Sequence, residues 1–469
     1  MSSTTIKADS SRKTTVFSQA SIIAGTTIGG GFMALPAATA PIGGASSALG
    51  LTLTWSYLLW AALTLNSAIS RLHDAKMESI SMLSVVQKSL GPVVATTAGV
   101  AFLLLITATL VAQFSKLGTL IRLPVGGRAA STLLYSVAVY MFSLYGSERA
   151  VERLNDTLTV GMVVSFAALV VLATRPGSGF VSARLHRTNF KALLPSKSSS
   201  GGTWAIPVFL QLLLYAEVVP SVAGRLKDRK LTRQAVLFGS LVPAIMCLAW
   251  TLVALGLIPW DAVAVASEGQ GIYDPLSHLL TVRGGTASPR TWLLLSVRVL
   301  TLCASTTTVI GSVLASSLFF ESLFSLRGER GGVRSKAQLL DCGETFPSAV
   351  DCVVLETAPK ASDVAARSRR IRRDILFDIF AWTSIRKRAI CRLLGIAPAA
   401  CIAAFGSKQL YYSATAFAGQ YPTVYLYGLL PALANLTLEL KEGSSWRSLA
   451  VLSSAALGFV SVALLVLAL

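Results

Sequence analysis

Three consecutive glycines, Gly29, Gly30 and Gly31, sit in an apolar run that also holds Gly25, Thr26, Thr27 and Pro36. Each glycine costs a helix interior about 1 kcal/mol relative to alanine. A segment that only anchored the chain would not carry them there. A helix break in an apolar surrounding strands N–H and C=O groups, which is tolerated where they line a cavity or bind something. Freed amides at the start of a second half-helix suit an anionic group such as a carboxylate. A second run, Leu212-Leu-Leu-Tyr-Ala-Glu-Val-Val-Pro220, carries a mid-span carboxyl, Glu217, with Pro207 near its start and Pro220 as its expected interruption. Carbonyls at the end of its first half suit a cation such as an ammonium. A zwitterion fits both ends.

An intramembrane carboxyl is costly and is a functional candidate by default. Three roles stand open for Glu217: binding and releasing a proton, facing a cationic substrate group, or pairing statically with Arg298 or backbone N–H groups. Arg298 either reaches outward along its stem or neutralises a carboxylate. Lys116 is expected to snorkel at the end of its span, and Gln113, one turn earlier, is a candidate polar contact. Glycines in membranes also serve close helix packing, but the matching second segment favours a break. The glycine spacing fits a dinucleotide loop, yet no strand–helix unit surrounds it.

The elements that must position these residues are helices in a membrane. The 469-residue chain is 53% hydrophobic and 13% charged, against roughly a quarter charged in soluble proteins. Its mean hydropathy is +0.64. Apolar stretches recur at 16–41, 46–70, 92–121, 129–147, 155–174, 203–224, 233–258, 291–325, 391–406, 421–440 and 447–469, each read as a membrane span. The expected fold is an all-α membrane protein of about 11 transmembrane helices. Spans one and six open two five-helix halves, 15–174 and 203–440, and matching breaks in two halves point to an inverted-repeat transporter core over 15–440. Residues 441–469 form the eleventh helix.

The net charge of +19 is assigned to cytosolic loops rather than to nucleic acid. With a cytosolic N-terminal tail, 1–14, inside segments carry roughly three times the Lys and Arg of outside ones. The 326–390 segment is expected to be a cytosolic basic loop insertion whose run at 367–373 could meet anionic lipids. Of six cysteines, Cys247, Cys303 and Cys401 fall in apolar spans and read as packing residues. The three histidines, His73, His186 and His278, are expected in loops. Neither residue type shows ligand spacing, so no metal site and no cofactor are expected.

The stretch Ala24-Gly-Thr-Thr-Ile-Gly-Gly-Gly-Phe-Met-Ala-Leu-Pro36 resembles the first span of the aromatic amino acid permeases, the tryptophan/tyrosine permease family. Trp204-Ala-Ile-Pro-Val-Phe209, Val219-Pro-Ser221 and Phe238-Gly-Ser-Leu-Val-Pro243 resemble its sixth and seventh spans, and Gly428-Leu-Leu-Pro431 its tenth. The resemblance implies the LeuT-type 5+5 inverted repeat with interrupted first and sixth helices, and proton-coupled symport of tyrosine, tryptophan or phenylalanine. It places the substrate at Thr26, Thr27, Gly29, Gly30 and Gly31, facing Leu214, Tyr215, Ala216 and Glu217. In relatives the positions of Ala216 and Glu217 tend to carry a His and then a small or amide residue, so this chain departs where coupling is expected. Span eight faces span one in this fold, which makes Ser305 and Thr306 possible ion contacts, with the proton ahead of sodium. A sensor or scaffold of transporter descent, without net flux, is the alternative. No Walker A motif or nucleophile–base pair suggests an enzyme. A plasma membrane or an organelle such as the plastid envelope is expected, with an amino acid substrate and the bilayer as partners.

Overall fold

The computed structural model describes residues 16–74, 82–121, 127–175, 180–186, 188–190, 205–257, 289–329, 384–407, 409–443 and 448–467. Among them every regular element is helical. We label α1 Val16–Thr27, α2 Gly30–Thr39, α3 Gly44–Asp74, α4 Met82–Leu90, α5 Pro92–Leu120, α6 Gly127–Tyr145, α7 Glu148–Ala173, α8 Ala205–Leu212, α9 Val219–Leu226, α10 Arg229–Leu257, α11 Pro289–Glu329, α12 Ser384–Phe405, α13 Leu410–Ala418, α14 Leu430–Lys441 and α15 Leu449–Val466. Seven helices among the described residues are long and apolar enough to cross a membrane, or eight if the bent α1–α2 pair is one span. The tail at 1–14, the 258–288 stretch and most of the 326–390 segment, with its 367–373 run, lie outside the described residues.

Three boundaries differ from expectation. α11 and α12 extend into the 326–390 segment, to Glu329 and from Ser384. α4 was not anticipated: it is short and two-sided, burying Met82, Leu83, Val85 and Val86 against α5 and α14. At nine residues it falls below the length of a span. The stretch between α13 and α14 winds as two π-helical turns, Gly419–Thr423 and Tyr425–Leu429. Pro422 lies in the first of these, where its missing N–H fits a loosened helix. His73 lies in the last turn of α3 rather than in a loop, and Cys401 is exposed while Cys247 and Cys303 are buried.

Small residues let the helices meet. A Cβ on Gly239 of α10 would lie 2.7 Å from the Ala20 carbonyl and from Ile23 of α1. One on Gly419 would overlap the Pro207 carbonyl and sit 3.0 Å from the Gln211 amide, so the π turn lies directly on α8. Hydroxyls and indoles add specific ties. Trp55 and Trp60 of α3 donate to Ser240 and Ser453 at 3.1 and 2.9 Å, and Tyr57 meets Ser461 at 2.9 Å. At one end of α3, Arg71 pairs with buried Glu439 at 3.1 Å and with Glu442. Asn435 donates to Glu439 at 2.7 Å and to Ser454 at 3.0 Å, joining α3, α14 and α15. The outer faces carry the opposite chemistry: α10 exposes Leu237, Phe238, Leu241, Val242 and Ile245, which is the surface hydrocarbon tails accept.

Two glycines separate tight from open packing. Gly419→Ala should destabilise by about 1–3 kcal/mol, because its new methyl meets backbone that cannot turn aside. Gly25→Ala, with nothing within 4 Å of its Cβ, should hold or raise stability, since alanine is the better helix former. Thermal unfolding in detergent compares the two.

Candidate functional site

The site grows from the break in α1. Helix ends at Thr27, and Ile28 and Gly29 lie outside regular structure. α2 starts as a 3-10 turn over Gly30–Ala34, 46° from the α1 axis. Gly30 is held on every side. Its amide donates to the Thr308 hydroxyl of α11 at 2.7 Å, and its carbonyl accepts from the Tyr411 hydroxyl of α13 at 2.8 Å. A Cβ there would overlap the Gln113 side-chain oxygen of α5 and lie 2.8 Å from the Ser305 Cα of α11. Three other helices therefore converge on Gly30 of α2, where any Cβ is crowded.

The second break lies beside the first. α8 ends at Leu212, and Leu213, Leu214 and Tyr215 are not helical before a 3-10 turn at Ala216–Val218. A Cβ on Gly31 would rest 3.6 Å from Leu212. Pro220 does not make this break, contrary to the sequence reading. It stands in the first turn of α9, where a missing N–H costs nothing and the fixed φ favours a helix start. The interruption falls earlier, in the Leu-Leu-Tyr run.

Backbone accounting identifies what remains. Phe32 donates to the Gly29 carbonyl at 3.1 Å, and the Gly30 amide is taken by Thr308. No partner among the described residues meets the Gly29 or Gly31 amide. These two N–H groups, flanking the break, are the donors available to an anion. The Gln113 Oε1 and Ser305 Oγ, both buried beside Gly30, also have no partner among the described residues.

Exposure is one-sided. Ser18, Ser21, Gly25 and Thr26 of α1 are open, with Phe17 beside them, whereas the open face along the middle of α10 is wholly apolar. Glu217 is exposed, in the 3-10 turn that follows the second break. Leu214, Tyr215 and Ala216 beside it are buried, so their side chains pack while the carboxyl remains free to meet a ligand. Tyr427 of the second π turn lies within electrostatic reach of Glu217.

The other expected residues divide. Thr27 is buried, and its hydroxyl returns to the Ile23 carbonyl at 2.6 Å; that of Thr26 returns to Ile22 at 2.9 Å. Thr306 turns from the break and accepts from Tyr135 of α6 at 3.1 Å. Thr308 and Thr301, not Thr306, are the span-eight hydroxyls that reach span one, at the Gly30 amide and at the Met33 sulfur. Helical spacing carried that signal, because Ser305 and Thr308 share a face and Thr306 does not. Arg298 is exposed, and no ion pair joins it to Glu217 among the described residues. Lys116 does not snorkel: it is 5% exposed and packs against Tyr411 and Tyr412.

Comparison with known proteins places these breaks in a family context. The model of the tryptophan/tyrosine permease family matches residues 12–342, which include both breaks and Thr308. The tyrosine-specific transport system 1 of Haemophilus influenzae is 27% identical over 242 residues, covering 50% of this chain and 56% of that protein. The tryptophan-specific transport protein of the same organism is 28% identical over 279 residues, covering 56% and 63%. The chain thus spans less than two thirds of the length of the curated relatives it matches.

The crowding at Gly30 gives a direct test of the geometry. Gly30→Ala should cost about 1–3 kcal/mol of stability. Adding Gln113→Ala should recover part of that loss, because it removes one obstacle but leaves the Ser305 backbone. Thermal unfolding of the single and double variants measures the coupling.

Proposed function

Starting from a chain that belongs to the tryptophan/tyrosine permease family, we propose that it is a secondary active transporter of aromatic amino acids, with tyrosine and tryptophan as first candidates. It crosses the membrane about eleven times in a LeuT-type 5+5 inverted repeat with a cytosolic N-terminus. It moves substrate by alternating access, with proton symport as the energy source. The names of the relatives, two tyrosine-specific systems and a tryptophan-specific protein, support the substrate class.

The observation that carries this reading is the meeting of the two breaks, Gly31 against Leu212, beside an open carboxyl. The Gly29 and Gly31 amides receive the substrate carboxylate. Carbonyls at the end of α8, with Glu217, receive the ammonium. Both charged ends of a zwitterion then meet partners in a low-dielectric interior, where unpartnered charge is costly. Glu217 also serves as the proton site: neutral in one leg of the cycle and charged in the other, it alternates its attraction for the ammonium.

Purified protein in liposomes tests this. Labelled tyrosine uptake should rise with an inward-directed proton gradient, and Glu217→Gln should reduce uptake to the gradient-independent level. Retained stimulation in that variant would remove Glu217 from coupling. Failure of the wild type to take up any aromatic amino acid, in folded and oriented protein, would overturn the transporter assignment.

A further inference from the structure

The two sides of the break are not equivalent. On the side of the N-terminus, Phe17, Ser18, Ser21, Gly25 and Thr26 of α1 are open. On the other side, α2 is covered. Phe32 is 3% exposed and stacks on Trp250 of α10, ring centroids 5.6 Å apart. The Trp250 indole donates to the Phe32 carbonyl at 3.0 Å. The Tyr411 hydroxyl donates to the Gly30 carbonyl at 2.8 Å. Two aromatic side chains from two other helices thus hold the backbone of α2 shut.

Behind Tyr411 stands Lys116. Its Nζ lies 5.2 Å from the Tyr411 ring centroid and 5.9 Å from that of Tyr412. The two rings stand edge to face at 4.9 Å, so the ammonium is shared by a rigid pair. A cation is attracted to the face of an aromatic ring, most strongly when desolvated. Lys116 is three residues beyond Gln113, whose side chain already lies on Gly30. A lysine that only terminated α5 would extend toward water. A residue that only filled space would be Leu or Met, because a cation in an apolar interior is expensive. The contact instead fixes the plane of the Tyr411 ring and hence the direction of its hydroxyl.

We infer that Lys116 is a positioning residue of the closed gate: through the face of Tyr411 it holds the Gly30 carbonyl, and substrate entry from the side opposite the N-terminus requires this contact to part. The inference rests on the transporter reading and deepens it by naming what closes the site. It implies that removing the charge shifts the population toward the state open on that side, whether or not the substrate is tyrosine.

A cysteine at Gly31 reports this, since a Cβ there meets only ordinary contact at 3.6 Å. A membrane-impermeant thiol reagent is applied to sealed vesicles, on the side opposite the N-terminus, and labelling is compared with the same protein lacking that cysteine. Lys116→Met preserves stem and volume but removes the charge. It should raise the labelling rate about tenfold, the population change expected from losing a desolvated cation–aromatic contact. Lys116→Arg should restore the slow rate, which a space-filling role would not require. If Lys116→Met does not fold, Tyr411→Phe decides: it keeps the ring under the ammonium, deletes the bond to Gly30 and should give the same rise. Unchanged labelling in the folded variant overturns the gate. Labelling needs no uptake, so failure of the gate and failure of the substrate assignment are separate results.

Discussion

The organising constraint is the backbone of Gly30. A broken helix in an apolar interior leaves polar groups that water cannot satisfy. Here the N–H is taken by Thr308 and the C=O by Tyr411. Those two bonds fix where α11 and α13 stand relative to α2. The absence of a side chain lets Gln113 and Ser305 close in from α5 and α11. With the middle amide satisfied, its neighbours at Gly29 and Gly31 have no partner among the described residues. One residue thereby sets the packing of four helices.

The break itself was legible in the sequence, because three consecutive glycines in an apolar run weaken a helix more than close packing alone requires. So was the helix in each apolar stretch, since length and hydropathy report directly on what hydrocarbon accepts. The partners of the break were less legible. Ser305, Thr306 and Thr308 are chemically alike, and only the rotation of α11 separates the hydroxyl on Gly30 from the one on Tyr135. Pro220 misled for a physical reason: the same ring that disrupts a helix interior opens a helix at its first turn. Lys116 misled as well. Its place near the end of α5 suggests the interface, whereas the rings that hold it come from a helix almost 300 residues later in the chain. The short amphipathic α4 lacked the length that marks a span.

Exposure in a membrane protein has two meanings, and side-chain chemistry separates them. The open residues along the middle of α10, Leu237, Phe238, Leu241, Val242 and Ile245, are large and apolar, as lipid requires, while its first turns expose Arg229, Lys230, Arg233 and Gln234. Those of α1 are mixed: Phe17 together with Ser18, Ser21, Gly25 and Thr26. The aromatic cover over Phe32 and Gly30 lies on the opposite side.

A site that receives the carboxylate of an amino acid at the Gly29 and Gly31 amides and its ammonium near Glu217, as proposed above, must reject ligands that lack either end. Competition binding to purified protein tests it most directly, with labelled tyrosine displaced by tyrosine, by tyramine and by 3-(4-hydroxyphenyl)propionate. Displacement by tyrosine alone is expected, since each analogue leaves one set of polar groups unpartnered. Displacement by tyramine as effective as by tyrosine would contradict a carboxylate held at the broken helix.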